Sequence, residues 1–136
     1  MAAKEIIRAC ERGDVAAVER LLSRIENPTD VKSDWWPKRT LLHFFCHRGL
    51  VDMTRRLVEQ YNCDPESKDW YGNTPLHTAC REGHVNIVRY LVSERGCSTA
   101  CQNKYGYTPL LEACRVGRLV VVEILLTAKN CNTACN

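Results

Sequence analysis

Residues 69–83 read DWYGNTPLHTACREG, and this stretch decides the fold. Gly72 permits a tight turn because glycine adopts backbone angles that other residues avoid. Thr74 is suited to cap a helix whose first position is Pro75, where the missing N–H costs little. Gly83 is the residue type that most often ends a helix. The stretch therefore predicts a turn, a short helix and a second turn.

The same arrangement recurs along the chain with a spacing of 34 residues. T-L-L-H begins at Thr40, T-P-L-H at Thr74 and T-P-L-L at Thr108, and each is followed by Cys-x-x-Gly. A fourth Cys-x-x-Gly begins at Cys10. After each glycine, apolar residues recur at the second, fourth, eighth and ninth positions, which is typical of one face of a second helix. One such helix pair cannot bury its own apolar faces, but a stack of pairs can.

Residues 69–97 resemble an ankyrin repeat, whose pattern is D-x-x-G-x-T-P-L-H-x-A-A-x-x-G-H-x-x-I-V-x-x-L-L-x-x-G-A. The resemblance extends over the whole chain as four repeats, approximately 1–33 (cap-like), 34–68, 69–102 and 103–136. It implies one all-α domain, a solenoid of stacked helix-turn-helix units with short β-hairpin tips. The second repeat has Leu41 in place of the family's proline, and Pro37 and an inserted residue distort its turn. The fourth has Leu111 for the histidine and Asn103 for the aspartate.

Composition excludes several other classes of protein. The chain has 136 residues, enough for one domain, and a net charge of +3 without a run of lysine or arginine. Its longest apolar run, residues 119–122, is far too short to span a bilayer. The N-terminus has no apolar segment of signal-peptide length. We therefore expect no membrane span and no secretion.

The nine cysteines all fall on repeat positions. Neighbouring helices pack about 10 Å apart, whereas a disulfide requires Cα atoms within about 7 Å. Equivalent cysteines on adjacent repeats are therefore expected to be too far apart to bond, and we predict that most are buried, reduced thiols that fill space. Reduced thiols favour a cytoplasmic location, with the nucleus as the alternative. Four of them occupy the position of a small alanine in the family: Cys10, Cys46, Cys80 and Cys114.

Two chemical roles for cysteine remain open at this point. Cys97 with Cys101, and Cys131 with Cys135, have a spacing that zinc accepts, although no histidine lies nearby. Cys135 is the strongest candidate for a redox-active thiol. We favour neither role and predict no metal and no cofactor.

The histidines and the missing motifs argue against catalysis. His43 and His77 stand at the family's T-P-L-H histidine, which the resemblance implies ties adjacent repeats together through backbone and threonine groups. The chain contains no Gly-x-Ser-x-Gly, no His-Glu-x-x-His and no phosphate-binding glycine loop. We therefore predict that the protein is not an enzyme.

The resemblance implies a partner-binding surface made of the tips and the exposed side of the first helices, which together form a concave face. Tryptophan, tyrosine and arginine dominate binding hot spots, and every tryptophan of the chain lies at a predicted tip. The alternative is that these tryptophans simply pack against one another along the tips. The predicted partner-binding residues are Trp35, Trp36, Arg39, Phe44, His47, Arg48, Trp70, Tyr71, Asn73, Arg81, Glu82, Lys104, Tyr105, Tyr107, Glu112 and Arg115.

The function expected from this surface is that of a protein-interaction scaffold. The excess of arginine leads to the hypothesis that the partner is a protein or extended peptide with acidic or phosphorylated groups. Nucleic acid is disfavoured because Glu11, Glu82 and Glu112 share the surface. The alternatives are a recruiting or regulatory segment of a larger protein, such as a ubiquitin ligase adaptor, kinase or channel, and a thiol-based redox sensor.

The C-terminal end has the form of an array that continues. Residues 131–136 resemble a loop that leads into another tip, and no polar capping helix follows. Val120 stands where earlier repeats have Asp52 and Asn86. We expect either that the chain comes from a longer array or that it covers its last repeat by self-association.

Overall fold

The computed structural model describes residues 2–24 and 39–128. Within these residues the chain forms four consecutive pairs of α-helices. The longest has 11 residues, and none of them is long and apolar enough to cross a membrane. The pairs are α1 (Ala2–Arg12) with α2 (Val15–Leu22), α3 (Leu41–Arg48) with α4 (Val51–Glu59), α5 (Pro75–Glu82) with α6 (Val85–Arg89), and α7 (Pro109–Val116) with α8 (Leu119–Thr127).

The first helices of the last three pairs begin and end as the sequence predicts. Each begins with a threonine whose hydroxyl accepts a hydrogen bond from the backbone N–H three residues later. Each ends at a glycine in the left-handed conformation, with φ of 76°, 77° and 78° at Gly49, Gly83 and Gly117. The helix boundaries are therefore set by local chemistry.

The pairs stack on one another along the chain. The first helices contact in the order α1, α3, α5, α7, and the second helices in the order α4, α6, α8. Most of the predicted apolar positions of the second helices lie in the core, where Leu22, Leu57, Leu91 and Leu125 are fully buried, whereas Val15, Leu119 and Leu126 are exposed. Each such leucine stabilises the fold by about 1.5–3 kcal/mol relative to an exposed one. The predicted all-α solenoid is confirmed.

Helix α6 departs from the expected regular second helix. It continues as a π-helical turn over Tyr90–Glu94. Tyr90 is fully buried within this turn, and its hydroxyl donates a hydrogen bond to Glu59 Oε2 at 2.8 Å. The guanidinium of Arg55 lies 4.5 Å from the centre of the Tyr90 ring and also pairs with Glu94. The sequence pattern does not predict this turn, because Tyr90 stands outside the repeating apolar positions.

Two buried histidines join neighbouring repeats, as predicted. The Nε2–H of His43 donates to the backbone carbonyl of Asn73 at 2.7 Å, and its Nδ1 lies 2.8 Å from the hydroxyl of Thr40. His77 repeats the arrangement, with the carbonyl of Tyr107 at 2.9 Å. Each imidazole therefore caps its own helix and holds the tip of the next repeat.

The tips of the third and fourth repeats are turns and not the short β-hairpins that the resemblance implies. In the tip at residues 69–73, the N–H of Gly72 donates to the carbonyl of Asp69 at 3.0 Å. The N–H of Asp69 donates to the carbonyl of Asn73 at 3.0 Å. The chain then enters the Thr74 cap at once, so no residues remain for a strand. Residues 2–24 and 39–128 accordingly contain no β-sheet.

The cysteines mostly behave as packing groups. Cys10, Cys46 and Cys80 are free and buried, and burial raises the pKa of Cys46 to about 12. A reactive thiolate is therefore scarce there at neutral pH. Cys101 departs from the expectation of reduced thiols, since it is disulfide-bonded. It lies in a loop, and loop residues are not held at the spacing of packed helices. Cys131 and Cys135 lie outside the described residues.

Acidification is expected to destabilise the protein through His43. Burial lowers the pKa of His43 from 6.5 to about 4, so the folded chain binds this proton less readily than the unfolded chain. The contribution of neutral His43 to the free energy of unfolding is fully present above pH 6.5. It is lost progressively as the pH falls from 6.5 towards 4, and the loss amounts to about 3 kcal/mol for this one residue. Urea unfolding across this pH range measures the loss. His43→Gln should show a smaller loss than the wild type; equal losses would contradict the assignment.

Alanine substitutions at Gly49 and Gly117 distinguish the cost of backbone strain from the cost of disturbing the contact between repeats. Gly49 and Gly117 have nearly the same φ, so alanine at either site incurs the same left-handed strain of about 1–2 kcal/mol. A Cβ on Gly49 would lie 2.8 Å from the His84 ring, whereas a Cβ on Gly117 meets no atom within 4 Å. Gly49→Ala is therefore expected to lower the free energy of unfolding by about 1 kcal/mol more than Gly117→Ala, because His84 must also move. Thermal denaturation of both variants checks the difference.

Candidate protein-binding site

A cavity of about 300 Å³ lies between the tips of the third and fourth repeats and the first helices beside them. Eight of its nine lining residues belong to the set predicted from the sequence, and Asn103 is the addition. The lining residues are Arg39, Tyr71, Asn73, Arg81, Asn103, Tyr105, Tyr107, Glu112 and Arg115. The stack therefore brings residues from three repeats to one place.

A row of aromatic rings runs along the tips beside this cavity. Trp70 meets Tyr71 edge-on at 6.3 Å, Tyr71 lies 5.8 Å from Tyr105, and Tyr105 lies 6.4 Å from Tyr107. The rings thus pack against one another, yet Trp70 remains 51% exposed and Tyr105 64% exposed. Lys104 Nζ lies 3.2 Å from the centre of the Trp70 ring. We call Trp70, Tyr71, Tyr105 and Tyr107 the aromatic row.

The arginines of the cavity lie beside carboxylates. Arg39 Nε is 3.8 Å from Asp69 Oδ2, and Arg81 Nε is 3.3 Å from Glu82 Oε2. Arg115 Nη2 is 2.7 Å from Glu112 Oε1, and Glu112 is buried. The surface therefore carries both positive and negative groups. It is less positive than the arginine content of the sequence indicates. The Arg115 side chain remains 51% exposed.

Two residues at the start of the tips hold the aromatic row in place. Asp69 Oδ1 accepts hydrogen bonds from the N–H groups of Tyr71 and Asn73, both at 2.9 Å. Asn103 Oδ1 serves the next tip in the same way, and its Nδ2 donates to Asn73 Oδ1 at 2.8 Å. Asn73 is consequently buried and acts as a structural link. Asn103 could have been found from the sequence, because it stands at the position that aspartate occupies in the repeat pattern.

The repeat pattern itself is matched by a family model described as Ankyrin repeats (3 copies), at residues 6–103 and 62–136. The chain belongs to the ankyrin repeat family. The two overlapping matches together cover the four helix pairs described above, from residue 6 of α1 onwards. A search of curated proteins finds no match. Ankyrin repeats generally serve as protein–protein interaction modules, and the family is typically non-enzymatic.

Not every predicted residue lies on the open surface of this ankyrin stack. Phe44 is buried in the core at 8% exposure, because its side of α3 is covered by the stack. Arg48 is directed away from the cavity, towards the end of α1. Its Nε donates to the carbonyl of Cys10 at 3.0 Å and its Nη2 to that of Glu11. The expectation for Phe44 is therefore corrected, whereas that for Arg48, which is exposed, stays a prediction. Trp35 and Trp36 lie outside the described residues.

His47 and Glu82 lie at the edge of the site. His47 Nδ1 is 3.5 Å from Glu82 Oε2, and burial lowers the pKa of His47, with nearby arginines adding to the effect. The carbonyl of His47 accepts a hydrogen bond from His84 at 2.8 Å. His47 is half-buried, and this hydrogen bond joins its backbone to the next repeat.

Replacing Arg48 is expected to affect stability. Arg48→Ala removes two hydrogen bonds to carbonyl groups at the end of α1, and we expect the free energy of unfolding to fall by about 1–3 kcal/mol. Arg8→Ala, an exposed arginine on α1, is the matched control and should change stability by less than about 0.5 kcal/mol. Urea denaturation measures both. An Arg48→Ala variant as stable as the control would contradict the stacking role.

Proposed function

We propose that this ankyrin repeat protein binds an extended segment of a partner protein along the aromatic row and in the cavity beside it. One observation carries the proposal: large aromatic rings pack against one another in a row yet remain more than half exposed at Trp70 and Tyr105. Exposed rings of this size lose contact with water when a partner covers them, and this favours binding. The protein acts as a scaffold without chemistry of its own.

The size of the cavity favours side chains over a free small molecule. About 300 Å³ is at the lower end of the range for ligand pockets. It is large enough for one or two side chains of a peptide whose backbone follows the tips. The rings of Tyr71, Tyr105 and Tyr107 offer apolar faces to such side chains, and their hydroxyls offer hydrogen bonds.

The charges favour a segment with an acidic or phosphorylated group next to an apolar one. Lys104 lies over Trp70 at the outer end of the aromatic row, and the half-exposed Arg115 lies 5.5 Å from the centre of the Tyr107 ring at the inner end. A carboxylate or phosphate on the partner would form charge-assisted hydrogen bonds with either group. Because Arg39, Arg81 and Arg115 itself lie beside carboxylates, we expect one or two anionic contacts and not a continuous anionic strip.

The alternative of a thiol-based sensor receives less support. Burial raises the pKa of Cys10, Cys46 and Cys97 to about 12 in each case, which makes these thiols poor nucleophiles. Six free thiols support a cytoplasmic or nuclear location as part of the proposal, whereas the disulfide at Cys101 argues against it. The aromatic row would serve equally in a recruiting segment of a larger protein.

A displayed library of extended peptides, including acidic and phosphorylated ones, tests the proposal. We expect selected peptides to bind the wild type and to bind the Trp70→Ala/Tyr105→Ala variant at least about 10–100-fold more weakly, because exposed aromatic anchors are lost. Val15→Ala, an exposed apolar residue on the first repeat, is the control and should bind as the wild type does. Isothermal titration gives the dissociation constants.

Charge reversal tests the chemistry of the partner separately. Lys104→Glu should weaken the binding of acidic or phosphorylated peptides about 10-fold, while neutral peptides should bind with unchanged affinity. The proposed preference for acidic partners is wrong if Lys104→Glu changes the affinity for acidic and neutral peptides equally. The site itself is wrong if no selected peptide depends on Trp70 and Tyr105.

A further inference from the structure

A larger cavity, of about 590 Å³, lies between the second helices of the third and fourth repeats. One wall comes from each repeat, and the two repeats pack together there through α6 and α8. The cavity is therefore a gap between neighbouring repeats and not part of the outer face of the last one. Its volume falls within the range of ligand pockets. The lining residues are Arg89, Val92, Ser93, Gly96, Ile124, Thr127 and Ala128.

The preceding junction, between α4 and α6, shows how this chain fills the equivalent space. The ring of Tyr90 is buried there, and its hydroxyl donates to Glu59 Oε2 at 2.8 Å. The guanidinium of Arg55 lies 4.5 Å from the centre of that ring. It also donates to both carboxylate oxygens of Glu94, at 2.6 and 3.3 Å. One aromatic ring and one carboxylate therefore close this junction against an arginine.

The four residues of the filled junction each have a counterpart 34 residues later, and all four counterparts line the cavity. The pairs, with the filled junction first, are Arg55 and Arg89, Glu59 and Ser93, Tyr90 and Ile124, and Glu94 and Ala128. The arginine is thus present at both junctions. At the second of them, however, an aliphatic side chain stands in place of the ring and a methyl group in place of the carboxylate. The cavity is the space that these two smaller groups leave.

The arginine of the cavity lacks the partners that Arg55 has. In the part of the chain that the structure describes, Arg89 forms no ion pair, and it is exposed. Val92 and Ile124 supply apolar surface to the same cavity, and Ser93 and Thr127 supply hydroxyls. A cation, apolar walls and two hydroxyls together are complementary to a ring that carries an acidic group.

The π-helical turn gives a second indication of a binding site. Tyr90, from this turn, closes the junction with α4, whereas Val92 and Ser93 of the same turn line the cavity. Such turns are rare, and they frequently occur at functional sites. The irregular part of the second helix therefore lies at the wall of the cavity.

We propose that this cavity binds a small aromatic carboxylate. The ring of the ligand takes the place that Tyr90 takes in the preceding junction, with its face against the Arg89 guanidinium. The carboxylate pairs with Arg89 as that of Glu94 pairs with Arg55. The cavity shares no residue with the aromatic row or with the cavity between the tips. Binding of this ligand and binding of a peptide are therefore separable by mutation.

Isothermal titration with phenylpropionate tests the chemistry of the ligand. Phenylpropionamide lacks the charge and hexanoate lacks the ring, so these two compounds are the matched controls. We expect the wild type to bind phenylpropionate with a dissociation constant on the order of 1 mM or lower. Each control should bind at least about 10-fold more weakly. Equal binding of all three compounds, or no saturable binding of phenylpropionate, overturns the proposal.

Two variants test the location of the site. Arg89→Gln removes the charge at an exposed position and should weaken phenylpropionate binding at least about 10-fold. Arg20→Gln changes an exposed arginine of α2 and should bind as the wild type does. Ile124→Tyr/Ala128→Glu gives this junction the ring and the carboxylate of the preceding one and should abolish binding. Circular dichroism verifies that the variants are folded.

The single variant keeps the test decisive even if the double variant does not fold. Phenylpropionate binding that Arg89→Gln leaves unchanged overturns the proposal, and so does binding that persists in a folded Ile124→Tyr/Ala128→Glu protein. An acetylated peptide that ends in phenylalanine presents the same ring and carboxylate. Binding of this peptide more than about 10-fold tighter than phenylpropionate overturns the small-molecule assignment in favour of the C-terminus of a protein.

Discussion

The imidazole bridge between repeats is the interaction on which the rest of the structure depends. A neutral imidazole has one acceptor and one donor, and His43 uses both, towards the Thr40 cap and towards the Asn73 carbonyl. Its burial lowers the pKa to about 4, which keeps the ring neutral so that Nδ1 continues to accept. The same bridge at His77 reaches the Tyr107 carbonyl. Helix starts and tips are therefore held in register along the chain.

This register determines what the surface can do. Because Asp69 and Asn103 anchor the tips from inside, the side chains between the anchors are held without taking part in the core. Trp70 and Tyr105 are such residues, and they remain exposed while packed in one row. Hydrogen bonds that hold the tips reduce the conformational entropy that this surface loses on binding, which favours binding.

Much of the fold could be predicted because the signals are local. A threonine cap, a proline at the first helical position and a left-handed glycine act within a few residues, and all three occur where expected. Most of the cavity lining could be predicted for the same reason, since it consists of the positions between these signals. The error at Phe44 and the unforeseen contact of Arg48 with α1 have a different origin. Helical periodicity identifies the face of a residue, but which neighbouring repeat covers that face depends on the stack.

By itself, the sequence determined the 34-residue period, the helix boundaries, the family and the set of residues left free by the repeat pattern. Only the tertiary structure decided how those residues pair. The carboxylates beside Arg81 and Arg115, the contact of Arg48 with the end of α1, and the exposure of Leu126 all depend on distances between groups in the folded stack. Charge pairing and burial follow the spatial distances between atoms, and local sequence patterns do not specify those distances.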